Sequence, residues 1–164
     1  MGVMTIEAQK ADQTPEPDLV FTKTDLQDVV PHDNDPVVIS VVTVGRKVYR
    51  VLVDQGSSTD VMFWSTIKKL HFSSDKLRPY DGCLYGFAGD QVEVREHVDL
   101  RTTFSNGTTS RTANIRHLVL NAPSAYNILL CRPTLNKIGA VASSRHMKMK
   151  LSSLEIVVII LKFD

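Results

Sequence analysis

"VLVDQGSSTDVMF", residues 51–63, is the stretch on which the reading of the whole chain turns. An apolar run (Val51, Leu52, Val53) leads straight into Asp54, then Gln55, Gly56, Ser57 and Ser58, before apolar residues resume at Val61. A carboxylate at the end of an apolar strand is expensive to bury unless hydrogen-bond donors surround it. Gly56 lets the backbone turn tightly and bring N–H groups toward the carboxylate, and the Ser57 hydroxyl can donate to an outer oxygen. Such donors keep a carboxylate ionised in apolar surroundings. Two carboxylates set face to face share one proton, hold a water, take its proton and give one to a leaving amine. The bland alternative is a turn aspartate that caps its own loop.

The rest of the composition narrows the field. At 164 residues, with 43% hydrophobic and 23% charged residues, the chain is expected to be one globular domain with a real core. Cys83 and Cys131 make neither a disulfide framework nor a CxxC pair, and the five histidines lie singly. No metal site and no cofactor are therefore expected. No basic leader with an apolar core precedes a cleavage site, and "IVVIIL" (156–161) is too short to span a bilayer. The expectation is an intracellular, cytoplasmic protein with no membrane partner. Residues 1–36 carry eight acids against two lysines (net −6), leaving 17 Lys+Arg against 10 Asp+Glu (net +7) in the remainder. The positive residues are scattered singly without interleaved aromatics, which argues against a nucleic-acid surface.

Residues 1–36 read as an acidic, Pro-containing flexible arm or linker, and residues 37–164 as the folded domain. Within the arm, residues 18–30 could form a short helix begun at Thr24 or a docked strand. "VVISVVTV" (37–44) and "VYRVLVD" (48–54) predict a hairpin turning at "GRK". A helix is expected over 60–70, capped by Ser58 or Thr59, with Val61, Trp64 and Leu70 near one face. "GFAG" (86–89) sits between alternating segments as the tip of a hairpin. Asn106-Gly107 signals a type I′ turn. "YNILL" (126–130) reads as a buried strand, followed by a short helix with Pro133 in its first turn and Gly139 at its end. "HMKMKL" (146–151) alternates with period two, and "IVVIILKF" closes the chain as a strand. Many short strands with one or two small helices make the chain mostly β, a small closed barrel-like sheet.

The residues just quoted resemble retropepsin-like aspartic proteases. "VLVDQGSSTDVMF" is similar to that family's Asp-Thr/Ser-Gly-Ser/Ala signature, "LYGFAGDQVEV" falls where its glycine-rich flap lies, and "AYNILLCRPTLNKIGA" resembles the strand, Gly-Arg and helix that close its half-site. The set is most like the protease segment of plant gypsy-type retrotransposon gag-pol polyproteins. The resemblance covers roughly residues 37–140 and implies a retropepsin-like half-unit. It also implies an aspartic endopeptidase with Asp54 as the catalytic residue, supported by Gln55, Gly56 and Ser57. Tyr85, Gly86, Phe87, Ala88 and Gly89 would form the flap over the substrate. Leu130, Cys131 and Arg132 would close the half-site. Because Asp54 alone stands in a matching context, the resemblance implies a homodimer with one Asp54 from each subunit. The substrate it implies is an extended polypeptide, the element's own polyprotein, cleaved in the cytoplasm or in retrotransposon particles.

Two positions depart from the pattern. Gln55 stands where the family most often has Thr or Ser, whose hydroxyl bonds across the dimer. Cys131 stands where "LLGRP" would have glycine, an addition expected to cost ~1–3 kcal/mol by overpacking. These departures leave a second reading in view: a catalytically inactive β-domain relic of a gag-pol fragment, folding and dimerising without cleaving.

Overall fold

The computed structural model of the chain describes residues 16–30, 33–86, 88–154 and 158–163. These residues form ten strands: β1 (Val38–Thr43), β2 (Arg46–Val53), β3 (Val61–Phe63), β4 (Arg78–Tyr85), β5 (Gln91–Ser105), β6 (Ser110–Leu120), β7 (Ile128–Leu130), β8 (Val141–Ser143), β9 (Lys148–Ser152) and β10 (Val158–Lys162). The α-helices among them are short, α1 (Trp64–Lys69) and α2 (Arg132–Ile138), and 3₁₀ turns occupy Lys23–Leu26 and Ser74–Lys76. The protein is mostly β, as the sequence predicts. No helix among the described residues is long and apolar enough to cross a membrane.

The main sheet runs β1-β2-β7-β3-β6-β5-β4, and a β1–β5 pairing closes six of these strands into a barrel with β4 outside it on β5. Two neighbours are parallel: β2 with β7 (Val51↔Ile128, Val53↔Leu130) and β3 with β6 (Val61↔Leu118). Strand β7 therefore lies between β2 and β3, and residues 54–60, which connect those two, pass over its end. Ile39, Met62, Phe104, Ile128 and Leu130 fill the interior with essentially no solvent exposure. Burial at roughly 25 cal/mol per Å² of apolar surface is the main force closing the barrel.

Four local expectations give way to tertiary context. The β1–β2 turn is Val44-Gly45, not Gly-Arg-Lys: both residues have positive φ (52° and 68°), and Thr43 pairs with Arg46. That is the two-residue geometry matching strand twist, with glycine supplying one left-handed position and the β-branched Val44 tolerated in the other. The helix expected over 60–70 begins only at Trp64. Val61–Phe63 is a strand instead, because these three consecutive buried residues are paired on both sides, with β6 and with β7. Phe63, without a side-chain cap, precedes the helix in place of Ser58 or Thr59. The hairpin at Asn106-Gly107 is present but not as type I′. Only Gly107 has positive φ, and the Asn106 side-chain oxygen accepts from the backbone N–H groups of Thr108 and Thr109 (3.1 and 2.8 Å).

The last difference concerns "HMKMKL". His146 and Met147 belong to a turn, and the strand β9 is buried throughout, Lys148 and Lys150 included. A second sheet, β10-β9-β8, carries it, and residues 20–28 lie against that sheet. Lys148 Nζ donates to the Asp25 carbonyl, and Lys150 Nζ donates to the Val20 carbonyl and pairs with the Asp25 carboxylate at 2.9 Å. Phe21 stacks on His146 with ring centroids 5.0 Å apart. Residues 23–26 do form a helical turn, of 3₁₀ type and capped by Thr22 rather than begun at Thr24. Residues 1–15, 31 and 32, read as parts of the arm, lie outside the described residues.

Candidate active site

Asp54 is the first residue after β2. Its backbone N–H donates to the Leu130 carbonyl at 2.8 Å, so the loop starts tied to the end of β7. The half-buried carboxylate is then wrapped by its own loop. Oδ1 accepts from the Gly56 N–H at 2.9 Å, and Oδ2 accepts from the Ser57 hydroxyl at 2.6 Å. A Cβ at position 56 would stand 3.3 Å from Asp54 Oδ1, tighter than a relaxed contact, which is why the loop takes glycine there. The two donors foreseen from the sequence are both in place.

Residues 130–132 come against this loop as a group. Leu130 is fully buried and Cys131 also has no exposed surface. The Ser57 carbonyl accepts both the backbone N–H and the Nε of Arg132, each at 3.2 Å, so Arg132 braces the loop through a carbonyl. Cys131 has φ −116° and ψ −174°, extended backbone that any residue adopts, so backbone conformation does not demand glycine there. Burial pushes its thiol up to about 12, with Asp60 and Asp54 nearby adding to the effect and a hydrogen bond with Ser57 opposing it. Such a thiol stays protonated and is no nucleophile.

Gln55 leaves the group. It is exposed, and its Nε2 donates to the Ala142 carbonyl of β8 at 3.3 Å, linking the loop to the second sheet.

The hairpin with the glycine-rich tip is formed by β4 and β5, paired out to Tyr85↔Gln91. Its end is closed internally by Gly86 N–H to the Asp90 carbonyl (2.9 Å) and Gly89 N–H to the Gly86 carbonyl (3.0 Å). Tyr85 is 72% exposed, and Gly86, Ala88 and Gly89 are exposed beside it. Phe87 lies outside the described residues. A water-facing aromatic at the end of a two-stranded hairpin offers apolar surface to whatever lies beneath it.

One residue of the site escapes a reading of the sequence. Asp60 is 3% exposed, and its oxygens accept from the Cys131 N–H (2.6 Å) and the Thr134 hydroxyl (2.8 Å). Burial raises its carboxyl above the usual aspartate value; the hydrogen bonds from Cys131 and Thr134 pull the other way and lose. The signal available was an aspartate directly before a three-residue apolar run. The periodic helix reading placed it inside the helix expected over 60–70.

No family model matches the chain, and no curated protein matches it in sequence. Solved structures do match in three dimensions. The retroviral protease-like domain of Ddi1 from Leishmania major superposes with a TM-score of 0.58 at 9% identity, over 82% of this chain and 95% of that one. EIAV protease, solved in complex with the inhibitor HBY-793, gives 0.53 at 23% identity, over 70% of this chain and 99% of that one. A retropepsin-like aspartic protease from Rickettsia conorii gives 0.48 at 17% identity, over 77% and 81%. Identities this low speak for the fold alone, and the first two comparisons establish it: the closed six-stranded barrel with two short helices is a retropepsin-like fold.

Proposed function

We propose that the chain is an aspartic endopeptidase domain that works as a homodimer, each protomer contributing one Asp54. The observation that carries this reading is the Asp54 carboxylate itself. It stands at the end of a barrel strand, held by Gly56 N–H and the Ser57 hydroxyl, on a loop stitched to β7 and α2 in a retropepsin-like fold.

In the proposed dimer the two carboxyl groups hold one proton between them, as is established for aspartic proteases as a class. The ionised one takes a proton from a bound water as that water attacks the scissile carbonyl, and the protonated one gives its proton to the carbonyl oxygen. Collapse of the tetrahedral species returns a proton to the leaving amine. Gly56 N–H and the Ser57 hydroxyl each occupy one Asp54 oxygen and fix the carboxylate's orientation, and each oxygen keeps a further lone pair for the water and the shared proton. The substrate is an extended polypeptide that adds as a strand beneath the β4–β5 hairpin. The sequence resemblance supports the finer statement that this polypeptide is a retrotransposon gag-pol polyprotein.

Peptide cleavage across the acid range, with pepstatin-type inhibition, tests the proposal. Asp54→Ala is expected to remove the activity, with a well-folded variant by circular dichroism. Activity unchanged in that variant refutes the assignment. A single-chain mass at micromolar concentration by light scattering refutes the dimer.

The second reading, a catalytically silent β-domain, draws on two observations. The Gln55 carboxamide is engaged within its own chain, and Cys131 fills a glycine position of the family pattern. Cleavage that appears only in Gln55→Thr or Cys131→Gly decides for it.

A further inference from the structure

We propose that Asp60 is a positioning residue for Asp54: it pins the corner between β7 and α2 from beneath the loop, and so fixes where the Asp54 carboxylate stands. The kinetic side of this inference rests on the peptidase reading above; its structural side does not.

The loop 54–60 is fastened at its start, middle and end to successive residues of one corner. Asp54 N–H bonds to the Leu130 carbonyl, the Ser57 carbonyl accepts from Arg132, and Asp60 accepts from Cys131 N–H. Of the two fastenings made by side chains only the last is enclosed. Asp60 and Cys131 are both buried, whereas the Arg132 side chain is exposed to competing water. Asp60 also reaches Thr134, so one carboxylate covers the first turn of α2, whose own N-cap residue, Cys131, supplies no side-chain cap. The Asp60 carbonyl at the same time accepts the Leu118 N–H of β6 at 2.9 Å. Backbone and side chain of this residue thus join the barrel wall, the helix and the loop.

Among the described residues Asp60 forms no ion pair, only hydrogen bonds from neutral donors. Burying a carboxylate on such terms is costly, and its raised carboxyl shows the cost is not fully offset. A neutral Ser or Asn would cap α2 more cheaply. The charge-assisted bond to Cys131 N–H, short at 2.6 Å, is what the carboxylate adds, and it is stiffer than a neutral one. Stiffness at this point matters because the Ser57 hydroxyl, three residues back, holds Asp54 Oδ2. A carboxylate displaced by about 1 Å loses on the order of 100-fold in rate.

The test compares the full chain with Asp60→Ala, Asp60→Asn and Thr134→Val. Peptidase sites are titrated with a tight-binding pepstatin-type inhibitor, and amide hydrogen exchange is read by NMR. In Asp60→Ala, kcat per titrated site is expected to fall about 100-fold with KM unchanged. The Gly56 and Arg132 amides should exchange faster, while Leu100 and Ile115 in the barrel wall keep their protection. Asp60→Asn, which keeps the shape and a neutral acceptor for Cys131 but not the charge, recovers only part of both losses. The inference is overturned if a folded Asp60→Ala leaves kcat per site intact, places the loss in KM, or speeds exchange uniformly. It is equally overturned if the Gly56 and Arg132 amides are unmoved. Should Asp60→Ala not fold, Thr134→Val removes one of the two bonds and is judged on the same readouts, with a smaller effect. If the wild-type chain cleaves nothing, the exchange measurement still decides for or against Asp60, and the peptidase reading alone fails.

Discussion

Asp60 is buried and Asp25 half-buried against the second sheet, and their surroundings push them in opposite directions. Asp60, in the barrel, meets a backbone N–H and a hydroxyl, and burial prevails, raising its carboxyl. Asp25 lies over the second sheet, where a hydrogen bond from Lys150 comes first and one from the Thr22 backbone second, and its carboxyl is lowered. At Asp60 two neutral donors do not outweigh burial, whereas at Asp25 the Lys150 cation does. The signs of the pH response follow. A raised carboxyl contributes stability that is complete below the usual aspartate value and is lost as pH rises through the raised one. A lowered carboxyl contributes stability that is complete above the usual value and is lost as pH falls through the lowered one. Acid therefore relieves the cost of burying Asp60 while removing the charge from its bond to Cys131 N–H, and it loosens the segment 20–28 from its sheet.

The comparison breaks most visibly in the packing under each region. Leu130 in β7 and Leu151 in β9 are both fully buried, and truncating either to Ala should cost about 2–5 kcal/mol in denaturant unfolding. Their functional effects should separate. On the peptidase reading proposed above, Leu130→Ala should also depress kcat, because Leu130 carries the carbonyl that receives Asp54 N–H, whereas Leu151→Ala should leave kcat per folded molecule near wild type. Equal loss of kcat in both would mean that the two regions act as one.

A third titrating group sharpens the contrast. His117 on β6 is fully buried, and among the described residues neither ring nitrogen has a hydrogen-bond partner. Burial lowers it to about 4, with the charge of Asp99 opposing weakly. Because the folded state keeps this ring neutral, stability is complete above the usual histidine value of 6.5 and is lost progressively as pH falls from there toward about 4. The loss amounts to roughly 3 kcal/mol. His117→Leu, which removes two unsatisfied polar atoms, should flatten the thermal-melt pH profile on its acid side. A profile that stays as steep in the variant assigns the acid sensitivity elsewhere.

Local chemistry was legible wherever it was complete in a short stretch. The β-branched runs of β1 and β2, the Asp54-Gly56-Ser57 wrap, and the α2 helix between Pro133 and Gly139 (φ 60°) each follow from neighbours in sequence. Two misses, the turns at Val44-Gly45 and Asn106-Gly107, are themselves local; the others depend on partners far along the chain. Val61–Phe63 is a strand because β6 and β7 flank it, and Asp60 is buried because a helix more than 70 residues later needs its oxygens. Lys148 and Lys150 look like the wet face of a period-two strand until residues 20–28 cover them. A sequence shows which groups want partners; it does not show which distant element supplies them.

The weaker tie of the second region gives a smaller effect. Lys150→Met leaves Asp25 beside the sheet without its cation, so segment 20–28 should loosen at neutral pH as it does in acid. Faster amide exchange at Met149 and Leu151, now less covered, checks it. Exchange unchanged there would show that Phe21 stacking and the backbone bonds suffice.

The smallest effect tests whether the two regions communicate. Gln55 joins them through one exposed hydrogen bond of 3.3 Å to the Ala142 carbonyl. An exposed neutral bond of that length contributes at most about 1 kcal/mol, so Gln55→Ala alone should barely move the melting curve. What it tests is transmission. If loosening segment 20–28 reaches the Asp54 loop through β8, then Lys150→Met should slow Gly56 amide protection only while Gln55 is present, and the double variant should respond less than the sum of the singles. If the regions are independent, the effects of Gln55→Ala and Lys150→Met add within about 0.5 kcal/mol, as distant unlinked sites do. Additivity is the expected outcome. The Asp54 loop is fastened at three points to the β7–α2 corner, and a single exposed carboxamide is a poor competitor for those.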